Sequence, residues 1–382
     1  MHDTQRRRTA ELQRRLMDEK ADLFLVADPD SIFYFSGVWG YLGIEWDRAI
    51  LMLVPRAGDP VLIMPAMEAE MGRAMTWVED VREWTDGVDG EWMALLDRYF
   101  SGRSGLRIMV EERKTPLEVL DCARRAASRF VDGTRVIAAM RMIKTPEETE
   151  TMRQAGEVAV AMVEAGRAAI AEGVPEFELA LAVIAGGTRK AATLLRDHGP
   201  DRLFSPTIYN LQIMQSGHET CMVHRRSTIK RVQKGDPIYF CFCGIANFKQ
   251  FKLGFDREFF VGSVTDKEAR VYETAVKAQQ SALAALKPGV RCEEVHAAAE
   301  EVYRSAGHGL AYRTGRGIGY SFLEEPQLKR GDRTTIREGM TFAVDGGITV
   351  PGEFGARIGD SVVVTANGFE YLTQYSRVLA VV

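Results

Sequence analysis

Arg141-Met142-Ile143-Lys144-Thr145-Pro146-Glu147-Glu148 is the stretch on which the reading of this chain turns. Thr145 is a natural N-cap. Pro146 suits the first helical position, where a missing N–H leaves no bond unmade, and Glu148 completes a capping box. The spacing predicts a long helix from Glu147 to about Glu172, then a second helix beginning near Phe177, after Gly173-Val174. A helix start written this plainly divides the chain. Residues 1–138 read as one domain and 139–382 as another, as expected of 382 residues, too many for one ordinary core.

Upstream of the boundary, residues 4–20 carry Leu12 and Leu16 among arginines and glutamates, an amphipathic helix that leads into the apolar run 22–28. Residues 48–54 and 61–64 read as two strands joined through Ala57-Gly58-Asp59, because Gly and Asp tolerate the positive φ of tight turns. Further strands are expected at 107–111 and 135–139, which makes the first domain α/β. Downstream, the sequence echoes itself. Ala165-Gly-Arg-Ala-Ala-Ile-Ala-Glu-Gly173-Val174 resembles Gln280-Ser-Ala-Leu-Ala-Ala-Leu-Lys-Pro-Gly289-Val290, and Gly235-Asp-Pro-Ile-Tyr-Phe-Cys241 resembles Gly339-Met-Thr-Phe-Ala-Val-Asp345. Two helix-helix-strand halves in tandem predict a duplicated unit whose strands form one sheet with helices on one side, and a cleft where the halves meet.

Composition narrows the function. Lys and Arg total 49 against 53 Asp and Glu, a net charge of −4, without the basic balance of a nucleic-acid binder. No run reaches about 18 apolar residues, and the arginines near the start have no apolar segment behind them, so a cytoplasmic protein without membrane spans is expected. The five cysteines are odd in number and lack C-x-x-C spacing, which suits reduced thiols and argues against structural zinc.

The chemistry-bearing segments are Gln215-Ser216-Gly217 with His224, Tyr239–Cys243, Gly254-Phe-Asp256-Arg-Glu-Phe-Phe-Val-Gly262, Thr314-Gly-Arg316-Gly-Ile-Gly319, Gly339–Gly347 and Ala356-Arg-Ile-Gly-Asp360. In this order they resemble the "pita-bread" superfamily of methionine aminopeptidases, prolidases, Xaa-Pro aminopeptidases and creatinases. The likeness covers nearly the whole chain, since the first domain also resembles that of creatinases and prolidases. It implies an α/β N-terminal domain and an α+β pita-bread catalytic domain, internally duplicated, with a curved antiparallel sheet and helices on one side.

The peptidases of that superfamily hold two metal ions with two Asp, one His and two Glu. Carried over by motif, these positions fall on Cys243, Gly254, Arg316, Asp345 and Gly359, which leaves one carboxylate and puts a fixed positive charge among them. No metal and no cofactor is therefore expected. The resemblance to creatinases, which work without metal, places a catalytic His on His224 and two substrate-binding acids on Asp256 and Asp345. A His can shuttle a proton at neutral pH, and two carboxylates can bind a delocalised cation through charge-assisted hydrogen bonds.

The expectation that follows is a metal-independent, creatinase-like hydrolase cleaving a C–N bond in a guanidino compound or cyclic amidine. His224 is general acid/base, Asp256 and Asp345 orient the substrate, and Arg316 neutralises the site or clamps a carboxylate. Cys243 lines the site, a small buried hydrophobe more readily than a nucleophile. Glu45 and Trp46 lie on a loop that in creatinases reaches the partner subunit's active site, which implies a homodimer with the first domain contributing to the partner's site. Two alternatives stand beside this reading: a metal-dependent Xaa-Pro-type aminopeptidase or lyase, and an inactive relative that binds a small molecule.

Overall fold

The structure, a computed structural model, describes residues 2–40, 48–197, 203–208, 213–242, 247–309 and 312–382. The chain separates into two compact units, Met1–Arg141 and Met142–Val382.

The first unit runs α1 (His2–Asp18), β1 (Leu23–Val26), α2 (Pro29–Ser36), β2 (Leu51–Pro55), β3 (Val61–Pro65), α3 (Ala66–Met75), β4 (Asp80–Trp84), α4 (Glu91–Phe100), β5 (Leu106–Val110), α5 (Leu117–Ala123), β6 (Ala127–Asp132) and α6 (Thr134–Arg141). Its six-stranded sheet has the order β4-β3-β2-β1-β5-β6. The β2–β3 hairpin is antiparallel, and the β3–β4, β1–β5 and β5–β6 pairs are parallel. Leu12 and Leu16 of α1 are buried, as their spacing predicts. The expected strand at 135–139 is instead α6. Its short apolar run fits either period, and Asp132, which accepts from Thr134 N and Oγ1, ends β6 and opens a helix there.

The second unit begins with α7 (Pro146–Ala169), whose capping box is formed as the sequence predicts: Thr145 Oγ1 accepts from Glu148 N at 3.2 Å and Glu148 Oε2 from Thr145 N at 2.7 Å. Then come α8 (Glu176–Asp197), β7 (Ile213–Ser216), a 3₁₀ turn at Gly217–Cys221, β8 (Pro237–Cys241), β9 (Asn247–Phe248), β10 (Phe251–Lys252), β11 (Asp256–Phe260), α9 (Asp266–Ala285) and α10 (Cys292–Ser305). The remainder is β12 (Gly315–Gly317), β13 (Glu324–Leu328), β14 (Thr341–Val350), β15 (Phe354–Thr365) and β16 (Gly368–Tyr371).

Eight of these strands make one sheet in the order β13-β12-β14-β15-β11-β8-β7, with β16 on β15 and every pair antiparallel. Both helix pairs cover the same face. Phe240 of β8 packs where Gly166 of α7 leaves room, and Gly346 of β14 lies against the α9 backbone at Ala275. On that face Arg257 donates to Asp360 at 2.8 Å, and Gln279 of α9 donates to the other Asp360 oxygen at 3.0 Å, a buried ion pair fully engaged in holding helix to sheet. The other face carries the candidate site.

Candidate active site

Directly opposed residues of an antiparallel pair point to one side of the sheet, so the register defines the site. Cys241 faces Asp256, Asp256 faces Gly359, and Gly359 faces Asp345. Arg316 faces Ala343, two residues before Asp345 and therefore on the same side. Three of the residues singled out in sequence thus come together: Asp256, Asp345 and Arg316.

Arg316 Nη1 donates to Asp345 Oδ2 at 2.5 Å, and its guanidinium lies 4.3 Å from the Phe322 ring centroid. Both partners are buried, at 3% and 12% side-chain exposure, so the carboxylate and the guanidinium each supply the charge the other needs. Asp345 Oδ1 is buried without a hydrogen-bond partner. Burial first, and the Asp345 charge second, push the Asp256 carboxyl up to about 6, against the opposing effect of hydrogen bonds with Cys241 and Tyr239. Asp256 therefore exchanges a proton near neutrality while Asp345 is tied to a fixed cation.

The glycines explain how these groups fit. A Cβ at Gly359 would lie 2.8 Å from Asp256 Oδ2 and 2.9 Å from Asp345 Oδ1, and one at Gly254 would lie 2.8 Å from Arg316 Nη2. Absence of a side chain at 359 brings the two carboxylates close, and absence at 254 makes room for the guanidinium. This donor set does not fit a two-metal centre. Of the positions described, Gly254 and Gly359 have no side-chain donor atom and their carbonyls accept from Ser361 and Arg257, Arg316 cannot ligate, and the Asp345 oxygen nearest it is engaged by that arginine. Among the described residues no group of His, Cys, Asp or Glu is arranged to hold a metal ion.

His224 lies elsewhere. It is exposed in a turn, and its side chain has no bond with Asp256 or Asp345. Its segment is pinned from below by Glu176, the first residue of α8. Glu176 accepts from Ser216 Oγ at 2.7 Å, from Arg225 Nη2 at 2.6 Å and Nη1 at 2.8 Å, and from Thr228 N at 2.8 Å. The same segment meets the sheet at Thr220, whose carbonyl accepts from Arg357 Nη1 and whose hydroxyl accepts from Gly355 N. The convergence of imidazole and acids expected from sequence is thus not formed. Cys243, Glu45 and Trp46 lie outside the described residues.

Sequence reasoning missed Glu258, Tyr239 and Arg357. All three lie on the same face, one row from the acid pair: Glu258 faces Tyr239, and Arg357 N donates to Glu258 Oε2 at 2.8 Å. Alternation from Asp256 to Glu258 was the available signal, since residues two apart on a strand share a side.

Fold and site together define a two-unit protein of the pita-bread class, with its candidate chemistry on the helix-free face of the second unit. Residues 150–366 match the model of metallopeptidase family M24, and residues 8–143 match the creatinase/prolidase N-terminal domain. The chain belongs to metallopeptidase family M24, a family of enzymes. It is 29% identical over 374 residues to an Xaa-Pro dipeptidase of Pyrococcus furiosus, covering 96% of this chain and 97% of that one. It is also 29% identical over 369 residues to an agropine synthesis cyclase of Rhizobium rhizogenes, covering 93% and 91%. The solved prolidase from Pyrococcus furiosus superposes with a TM-score of 0.79 at 25% identity, covering 95% of this chain and 99% of that one.

These relatives correct the functional expectation. The superfamily resemblance holds, but full-length likeness runs to Xaa-Pro dipeptidases, and the metal-independent, creatinase-like cleavage of guanidino or amidine compounds is overturned. Two acids on one face of the sheet suggest a cation clamp in the sequence, whereas one of them is already neutralised by Arg316. Among the described residues no helix is long and apolar enough to cross a membrane.

Proposed function

We propose that this chain is an enzyme of the dipeptidase branch of its family, acting on a dipeptide-sized substrate of the Xaa-Pro class. Full-length likeness to Xaa-Pro dipeptidases carries the reading, because both units of this chain have counterparts there. The residues on the sheet face support it. Hydrolysis adds hydroxyl to the acyl carbon and a proton to the leaving prolyl nitrogen, and Asp256, titrating at about 6, can take the proton from water and return it to that nitrogen. Arg316, held by Asp345, supplies a fixed positive charge beside the carbonyl oxygen as negative charge develops. Asp256 takes the acid/base role in place of His224, whose imidazole is exposed. A homodimer and a cytoplasmic location belong to the same proposal, the first tested by light scattering of the purified protein.

The test is release of proline from a panel of Xaa-Pro dipeptides, with manganese, cobalt or zinc supplied and again after chelation. No release under any of these conditions would sink the reading. One observation favours a second. Arg316 and Gly359 flank Asp345 where the motif resemblance would put ligands of a peptidase's metals, and a relative of equal identity is named as a cyclase. Ring closure of a small molecule, read as loss of one water by mass spectrometry, is the corresponding assay.

A further inference from the structure

On the site face, one row beyond the acid pair, stands a buried cation with no ion-pair partner among the described residues. Arg357 is 2% exposed. Its guanidinium donates to the Thr220 carbonyl at 2.8 Å and to Thr349 Oγ1 at 2.7 Å, and it lies 5.5 Å from the Tyr239 ring centroid. Among the described residues it forms no ion pair, and its Nε is buried without an acceptor. A buried guanidinium hydrogen-bonded only to neutral groups, with the Glu258 and Asp256 carboxyls acting on it only through space, is costly unless something anionic joins it directly.

The nearest acid does not supply that anion. Glu258 is 2% exposed; its Oε2 accepts from the Arg357 backbone N–H, and its Oε1 is buried without a partner. Burial drives its carboxyl up to about 8, against the weaker pull of that backbone hydrogen bond and of the Arg357 charge. Near neutrality Glu258 is thus a carboxylic acid, able to donate through O–H. Two buried atoms without partners, Arg357 Nε and Glu258 Oε1, therefore sit on adjoining strands in one row without pairing with each other.

We propose that Arg357 and Glu258 form an anion subsite that receives the carboxylate end of the ligand, while the acid pair Asp256 and Asp345 lies beside the ligand's other end. The missing counter-charge of Arg357 is then supplied by the ligand, through a charge-assisted hydrogen bond from Nε. Arg357 and Glu258 act here as specificity-determining residues. The identity of the ligand as an Xaa-Pro dipeptide rests on the function proposed above; the demand for a carboxylate does not.

The experiment compares small monocarboxylates (acetate, propionate and N-acetyl-L-proline) with their amides, by thermal shift and calorimetry on the full chain. The expected result is saturable binding of one or more carboxylates at least about tenfold tighter than the matching amide. Arg357→Gln, folded by circular dichroism, should abolish the preference, whereas Glu258→Gln, which keeps a neutral donor, should retain it. Equal binding of acids and amides by the wild type overturns the proposal without recourse to any variant, as does an unchanged preference in folded Arg357→Gln. If carboxylates bind and no Xaa-Pro peptide is cleaved, the subsite stands and the dipeptidase reading fails.

Discussion

Arg316 and Asp345 meet at 2.5 Å on the face of the second sheet turned away from its paired α-helices, each supplying the charge the other needs. The pair is coherent with its surroundings, since Gly254 leaves space beside the guanidinium and Gly359 leaves space beside the carboxylate. Removing one partner strands the other. Arg316→Met should lower unfolding free energy by about 3–5 kcal/mol, because Asp345 would be left buried and uncompensated. The double variant Arg316→Met/Asp345→Leu should cost clearly less than the sum of the singles. Additive losses in denaturant melts would mean that the two charges do not depend on each other.

Gly359 should tolerate nothing larger. A methyl group there would press on both Asp256 Oδ2 and Asp345 Oδ1, the latter on the carboxylate whose Oδ2 is tied to Arg316. Gly359→Ala is expected to cost about 1–3 kcal/mol through this crowding. Gly368, which has open space around its Cβ position, is the control and should change little when replaced by Ala.

Much of the architecture was legible because local signals agreed with tertiary packing. The Thr145–Glu148 box announced α7, and the repeat of helix pairs announced a sheet covered on one side. The run 135–139 misled because five residues cannot separate a period of two from 3.6, and α6 formed after the Asp132 cap. At the site, Asp256, Asp345 and Arg316 could be named from motif order, since cross-strand register follows from it. Glu258 and Arg357 could not be ranked, because their importance lies in burial without a matching partner, a property of packing that one sequence does not display. His224 is exposed in a turn and bonds neither acid, and its segment is held by Glu176, far along the chain and invisible as a partner.

Glu258 should leave a signature in the pH dependence of stability. Its folded carboxyl lies at about 8, above the ordinary glutamate value of 4.5, so the folded state holds the proton more tightly than the unfolded chain. The resulting stabilisation is complete below about 4.5 and is lost as pH rises toward about 8. Glu258→Gln, which cannot ionise, should therefore fall less in stability than wild type between about pH 5 and about pH 8.5, by an amount on the order of a few kcal/mol. Parallel stability profiles for the two proteins would contradict a neutral Glu258.

Capping chemistry offers a milder and separable test. Thr265 caps α9 with the same box that Thr145 makes for α7: Thr265 Oγ1 accepts from Glu268 N, and Glu268 Oε2 accepts from Thr265 N at 2.9 Å. Thr145→Ala and Thr265→Ala should each cost about 1 kcal/mol. The double variant should cost about twice as much, because distant caps act independently.

Glu176 fixes the segment that carries His224, and its removal should be felt there first. Although burial opposes the charge, Arg225, Ser216 and Thr228 hold its carboxyl below the usual glutamate value. Its stabilisation is therefore present above about pH 4.5 and is lost as acid protonates it. Glu176→Ala removes bonds to all three residues at once and leaves Arg225 with Glu219 as its remaining acidic partner. A loss of about 3 kcal/mol is expected, with faster amide exchange concentrated in residues 216–228. If exchange rose evenly across the second unit, Glu176 would be an ordinary core residue. If it rose only in that segment, the acid is the anchor that keeps His224 away from the acid pair, and Glu176→Ala becomes the variant in which an approach of the imidazole to Asp256 can be sought by cross-linking.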